Sequence, residues 1–444
     1  MNILILNVIG KLSDGRFVCA FPSRWDAGTA WKNPPYYPFE LAYLSTLLKR
    51  ELPEARVKML DPNWHDYNWQ ATVDMIQEKF PDWDVLITEC SALTYPDMTR
   101  LMQWLKPNMA DKRQVWLCGP YGANNQDQAK ADGWNQIFRG EYEWDVLAHL
   151  NNGEHGATGL RNDYIELDWL PWPEDEDIRR IDYGEWSNPF KSNQEKHTGM
   201  VQLYATRGCP LACSFCVVPS YYGGHGHSFN SHRCRDVDGV CNEIDYLARK
   251  YEGEFLGCFF NEETHNADIN WFMAFCERLI SRGLNRYHYD AMCGYWPFTE
   301  DSIKLAARAG YCQIRIGIEN FSQEVGKKIG KRIIPEKLGQ VLEWCKKYGI
   351  FVYGTTQVGA PGSTYESDVA TLNTMQELKQ AGYVRTWQNS VSTPQPGTPM
   401  YYQASKEGRL LTEDVSQFDG MHAVMELPGY SAEKINEAKR LFSG

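Results

Sequence analysis

The sequence predicts an α/β protein of two domains in tandem: a doubly wound parallel sheet, then a partial or complete β/α barrel. Three observations carry that expectation. Short apolar runs alternate with amphipathic helical patterns over residues 1–150, as they do in strand–helix–strand units with parallel strands. Residues 151–198 lose this periodicity and are rich in Asn, Gly, Pro and acids, the composition of a linker. From 199 to 408 the alternation resumes, and the remaining 409–444 form an extension too short for a domain of usual size.

In the first domain, "NILILNV" (2–8) reads as a strand and "FELAYLSTLLKRE" (39–51) as an amphipathic helix. "ARVKML" (55–60), "DVLITEC" (84–90), "QVWLCG" (114–119) and "NQIFRG" (135–140) read as further strands. The helices between and after them are "WQATVDMIQEKF" (69–80), "PDMTRLMQWLK" (96–106) and "EWDVLAHL" (143–150). Ligands of such sheets sit beyond the carboxyl ends of the strands, here the loops "NVIGK", "ECSALTYP", "CGPYGANN" and "RGEYE". In the second domain the strands are "VQLYAT" (201–206), "FLGCFFNEE" (255–263), "RYHYDAMC" (286–293), "QIRIGIEN" (313–320), "FVYGTTQVGAPG" (351–362) and "RTWQNSV" (385–391). Helical patterns separate them.

The composition narrows the function classes. A formal charge of -12 disfavours a broad footprint on nucleic acid. No window approaches the roughly 18 uninterrupted apolar residues of a membrane span, and "MNILILNVIG" reads as a strand rather than a signal peptide. A cytoplasmic location is the expectation. The 13 cysteines then point to metal binding or buried thiols rather than disulfides. No Walker A run and no G-x-S-x-G elbow occurs.

The densest chemical signal is "RGCPLACSFC" (207–216), with Cys209, Cys213 and Cys216 spaced C-x-x-x-C-x-x-C in the loop after a barrel strand. Active sites of barrels lie on that face, and thiolates bind zinc or iron–sulfur clusters. A closed zinc site would need a fourth ligand, for which Cys234, His225, His227 and His232 stand nearby. An iron–sulfur cluster could instead keep one open position.

This run, with aromatic Phe215 before the last cysteine, resembles the signature of the radical S-adenosylmethionine (SAM) superfamily. "RIGIENFSQEVGKKIGKR" (315–332), "TTQVGAPGSTYES" (355–367) and "STPQPGTPMYYQASKEGRL" (392–410) resemble its later barrel segments. The resemblance implies a four-iron (4Fe–4S) cluster on the three cysteines, whose open iron chelates SAM and whose electron releases a 5'-deoxyadenosyl radical. It implies SAM contacts from Phe215, Gly317, Glu319, Val358, Gly359 and Pro361. Asn261 and Glu262 stand where relatives carry an acidic pair, Asn261 replacing the first acid. "DAMCGYWPF" (290–298) lacks the arginine common at that strand.

The first domain extends the resemblance. "PPYYPFELAYLSTLLKRE", "DVLITECSALTYPDMTRL", "CGPYGANN" and "RGEYEWDVL" look like the Rossmann-like cobalamin-binding domain of class B radical SAM enzymes. That implies corrin contacts from Val8, Ile9, Ser91, Leu93, Thr94, Gly119, Pro120, Tyr121, Gly140, Glu141 and Tyr142. His65 and His149 are the domain's histidines, and neither lies in a D-x-H-x-x-G motif. Cobalamin bound without a lower histidine is therefore the expectation.

The implied activity is methylation of an unactivated carbon or phosphorus centre, the substrate radical taking a methyl group from methylcobalamin. Rearrangement or cyclisation on the same scaffold is an alternative. So is a methylthiotransferase, whose second cluster would use Cys19, Cys90 and Cys118. A non-catalytic cobalamin or iron–sulfur sensor is a different class, disfavoured by the SAM-like segments. The implied partners are a small-molecule or peptide substrate and an external donor of the flavodoxin or ferredoxin type. "KKIGKR" (327–332) reads as a solvated helix end, and "GYWPF" with Tyr221, Tyr222, Tyr401 and Tyr402 as packing or pocket aromatics.

Overall fold

Two parallel sheets organise the chain in the computed structural model, which describes residues 1–7, 18–21, 25–28, 37–62, 69–109, 112–152, 165–183, 199–222 and 232–441. The expectations at Val8, Ile9, His65, His225 and His227 fall outside the described residues, as do the side chains of Cys19 and Tyr222.

The first sheet contains β1 (Asn2–Leu6), β4 (Arg56–Leu60), β5 (Val85–Glu89), β6 (Gln114–Cys118) and β7 (Gln136–Ile137), with a separate antiparallel hairpin of β2 (Val18–Phe21) and β3 (Trp25–Gly28). Its order is β4-β1-β5-β6-β7, and every pair is parallel. Apolar residues on alternate positions of the strands split into two cores. Ile3, Ile5, Ile87 and Trp116 meet Leu44 and Leu48 of helix Phe39–Glu51 on one face. Leu4, Leu86 and Leu117 meet Met98 and Leu101 of helix Tyr95–Leu105 on the other. The sheet is therefore covered on both sides, as a parallel sheet requires.

The second sheet contains β8 (Met200–Leu203), β11 (Gly257–Phe260), β12 (His288–Cys293), β13 (Tyr311–Glu319), β14 (Phe351–Val358) and β15 (Thr386–Val391). These six pair in that order, all parallel, and β8 and β15 are the two edges. The barrel is partial. A short antiparallel pair, β9 (Thr206–Arg207) with β10 (Arg233–Cys234), projects from the end of β8. Helices cover the outer face, and those at Glu300–Ala309 and Tyr365–Gln380 begin with capping boxes at Thr299 and Thr364. Each such cap is worth about 1 kcal/mol.

The described part of the bridge, 165–183, packs as a strap rather than running free. Glu174 is fully buried and accepts from Ser45 Oγ and Lys49 Nζ of the first domain, both at 2.6 Å. Arg180, also buried, pairs with Glu243 on the barrel helix Val237–Lys250 at 2.6 Å. The irregular composition hid this, because ion pairs and scattered apolar residues such as Ile165, Ile178 and Ile181, without a regular period, hold the segment. The extension after 408 likewise packs: Ile435 and Ala438 of helix Ala432–Arg440 join a core with Val358 and Val391. Phe418 and Val424 pack on Leu93 of the first domain. Among the described residues no helix is long and apolar enough to cross a membrane.

Candidate functional site

The cysteine loop leaves the end of β9 and is pinned at several points. Ser214 N donates to Ile329 O at 2.9 Å, and Met400 N donates to Ser214 O at 3.0 Å. Gly208 N donates to Glu263 Oε2 at 3.0 Å, and Cys209 Sγ lies 3.2 Å from Thr264 Oγ1. The loop thus rests on the ends of β11, of helix Gln323–Ile329 and of the segment after β15.

Cys209, Cys213 and Cys216 open onto one cavity of about 250 Å³ at the carboxyl ends of the barrel strands. Burial pushes the Cys213 thiol up to about 12 and raises Cys209 and Cys216 as well. Such thiols stay protonated unless a cation replaces the proton. Among the described residues no three His, Cys, Asp or Glu side chains are grouped to hold a metal ion. Three thiols spread around one cavity suit a polynuclear cluster better than a lone zinc ion.

Glu319 and Lys331 line the same cavity. Lys331 Nζ is 2.7 Å from Glu319 Oε1, and Gln357 Nε2 donates to Glu319 Oε2 at 2.8 Å. Burial works against the lysine's charge, but Glu319 and the Cys213 thiol outweigh it and its pKa is raised. Glu319 has φ 63°, the sole positive φ among the described non-glycine residues. The β13–β14 register shifts between Gly317 and Glu319. A bulge of this kind re-aims a side chain, and left-handed backbone at a non-glycine costs about 1–3 kcal/mol, which marks functional positions.

The structure distributes the sequence-derived SAM residues. Phe215, Gly317 and Glu319 line the cavity. Glu262 instead accepts from the amides of Ala205 and Thr206 at the root of the loop, and Asn261 donates to Gln202 Oε1 at 2.7 Å. Glu263 and Thr264 take the cavity-facing places. Val358, buried with Val391, and Gly359, whose amide donates to Asp368 Oδ2 at 2.7 Å, stand just beyond the lining residues Thr355–Gln357. Pro361 follows in the same turn. Lys331 is the residue sequence reasoning missed. "KKIGKR" is no solvated helix end at this position, because Gly330 closes the helix with φ 76° and turns Lys331 inward. Trp296 of "GYWPF" also lines the cavity.

The loops of the first domain gather at the carboxyl ends of β5, β6 and β7. Ser91 N donates to Thr94 Oγ1 at 2.9 Å, and Leu93 packs toward the barrel extension. Gly119 has φ 95°, and a Cβ there would lie 2.5 Å from Cys90 O, so only glycine lets the two strand ends approach this closely. Pro120 and Tyr121 open a short helix. Gly140 faces Tyr221 of the barrel domain. The Glu141 and Tyr142 side chains are engaged within the protein, with Arg207 and with Glu89. His149 lies in the core against Trp116 and Phe138. Cys118 faces the core of Ile87 and Trp116, and Cys90 the core of Leu86 and Leu117. The two thiols lie on opposite faces of the sheet, an arrangement unsuited to ligating one cluster together.

Residues 203–385 match the Radical SAM superfamily. The chain is 25% identical to an uncharacterized methyltransferase of Pyrococcus horikoshii over 91% of its own length and 86% of the relative's. It is 23% identical to the bacteriochlorophyllide d C-8(2)-methyltransferase of Chlorobaculum tepidum, over 89% and 82%. Its fold superposes on that of the radical SAM methyltransferase TsrM of Kitasatospora setae, a structure with cobalamin and a 4Fe–4S cluster bound. That match has TM-score 0.65 and 16% identity, covering 91% of this chain and 75% of TsrM. The cysteine loop and the partial barrel thus lie in a region that matches the radical SAM superfamily, and the chain as a whole shares the two-domain fold of TsrM.

Proposed function

We propose that this protein is a cobalamin-dependent radical SAM methyltransferase acting on an unactivated carbon or phosphorus centre. The observation that carries the reading is the single cavity onto which Cys209, Cys213, Cys216, Glu319 and Lys331 all open. When bound, a 4Fe–4S cluster with an open iron supplies the electron for reductive SAM cleavage, and cobalamin supplies a transferable methyl group.

The chain's own residues divide the remaining work. Cys209, Cys213 and Cys216 would hold the cluster, in a loop kept still by its backbone bonds to Ile329 and Met400. Lys331 would hold the carboxylate of SAM and Glu319 a donor group of the same molecule, the two charges already poised 2.7 Å apart. Such preorganisation removes reorientation cost from binding. Ser91, Leu93, Gly119 and Gly140 would border the corrin, and small side chains at three of the four suit a large planar ligand. Trp296 and Phe215 make the cavity partly apolar, which excludes water from a reactive radical. A compact small molecule or a peptide side chain is the substrate, and a flavodoxin- or ferredoxin-type protein the electron donor.

Anaerobic reconstitution with iron, sulfide and hydroxocobalamin tests the reading. It expects roughly four irons and one cobalt per chain, and 5'-deoxyadenosine from SAM under reduction. Roughly eight irons without cobalt would replace it with a two-cluster enzyme.

A further inference from the structure

Arg207 stands two residues before the first cluster cysteine and is only 2% exposed. Its guanidinium reaches out of the barrel domain into the first domain. One arm donates to Glu141 Oε1 at 3.0 Å, and the other to Glu143 Oε1 at 2.6 Å. Its central carbon, Cζ, lies 5.0 Å from the ring centroid of Tyr43 on helix Phe39–Glu51. Arg233, its cross-strand neighbour in the β9–β10 pair, also reaches Glu141, at 2.9 Å.

Glu141 lies in the turn after β7 and Glu143 in the first turn of helix Tyr142–Asn152, both within "RGEYE" at the carboxyl end of the first sheet. Glu143 is fully buried, and its Oε2 has no hydrogen-bond partner. Buried ion pairs hold surfaces together no better than apolar contacts of equal size, because desolvation offsets the Coulomb gain. What a forked guanidinium adds is direction: its donors are fixed in one plane, so two carboxylates set both its position and its angle. The next residue, Gly208, gives its amide to Glu263 at the cavity wall. A displacement of the "RGEYE" segment can therefore be passed towards Gly208 and Cys209 through one buried side chain held at two points.

We propose that Arg207 is a positioning residue that couples the strand-end loops of the first domain to the cluster loop, so that filling the first domain is felt at the cysteines. The inference rests on the function proposed above. Its test uses the full chain, reconstituted anaerobically as wild type, R207Q, R207K and Glu143→Gln, with iron content, hydroxocobalamin binding by absorbance, and electron paramagnetic resonance of the reduced cluster. Wild type should show a shift in the cluster's g values when hydroxocobalamin is added. R207Q should bind iron and cobalamin yet lose that shift, and R207K and Glu143→Gln should keep part of it. A merely structural arginine would lower iron content without touching the response. If R207Q does not fold, Glu143→Gln, which leaves the Glu141 pair in place, decides by whether its shift is smaller than wild type. An unchanged shift in the variants overturns the proposal, as does wild type that binds cobalamin without any shift. Wild type that binds no cobalamin overturns the proposed function itself, and absorbance alone separates that outcome from the others.

Discussion

Lys331 Nζ sits 2.7 Å from Glu319 Oε1 inside the cavity that the three loop cysteines border. The pair places a cation and a strained carboxylate in the same cavity as the cysteine loop.

Lys331→Met is expected to leave iron content intact and weaken SAM binding 10- to 100-fold, about 1.4–2.8 kcal/mol. Calorimetric titration of SAM into the reconstituted variant measures it, and unchanged affinity would remove Lys331 from the site. Glu319→Gln should weaken binding in the same direction.

Cys213→Ala should lose the visible iron–sulfur absorbance and all SAM cleavage while keeping the far-ultraviolet circular dichroism of wild type. Cys90→Ala and Cys118→Ala should retain full iron content, since their thiols lie on opposite faces of the first sheet. Loss of several irons in either would revive a second cluster.

Burial holds the Glu40 carboxyl up at about 7 against an ordinary 4.5, with Arg207 opposing and Glu143 and Glu263 reinforcing the shift. Between those values the folded chain binds more protons than the unfolded one. Glu40's contribution is therefore present below about pH 4.5, shrinks as pH rises, and is lost above about 7. The full loss is at most roughly 3 kcal/mol. Urea midpoints at pH 5 and pH 8 should lie closer together in Glu40→Gln than in wild type.

Glu243 receives both Arg180 of the strap and Arg235 of the barrel domain, each at 2.6 Å, and all three are buried. Glu243→Ala leaves two buried guanidinium groups uncompensated and should cost about 3–5 kcal/mol. Denaturant unfolding of the variant reads this directly. A loss under 1 kcal/mol would mean that water replaces the carboxylate.

Gly119→Ala forces a Cβ to within 2.5 Å of Cys90 O at φ 95°. The strand ends must part, so hydroxocobalamin retention on gel filtration should fall severalfold while the barrel cluster stays loaded.

Much of this was legible in the sequence. Strand–helix alternation gave both parallel sheets because buried parallel strands must be apolar and crossovers must be long. The cysteine spacing gave the loop because ligands to one centre must be near in sequence or held by a strand end. The strap at 165–183 was not legible, since Glu174 and Arg180 are polar residues whose burial depends on side-chain partners 129 and 63 residues away, Ser45 and Glu243. Asn261 and Glu262 were expected at SAM, but Glu263 takes the cavity-facing place, because adjacent residues at a strand end point opposite ways and composition does not say which faces the cavity. Lys331 was read as surface because a lysine-rich run is usually solvated. The glycine before it was the available signal.

The extension after residue 408 supplies Gly420 to the cavity wall and sends the Tyr430 hydroxyl to Asp368, the carboxylate that also holds the Gly359 amide. A chain emerging from the ribosome therefore carries Cys209, Cys213 and Cys216 for some two hundred residues of synthesis before Gly420 completes the lining of their cavity. A nascent chain stalled before Gly420 would hold these three thiols in an incomplete cleft.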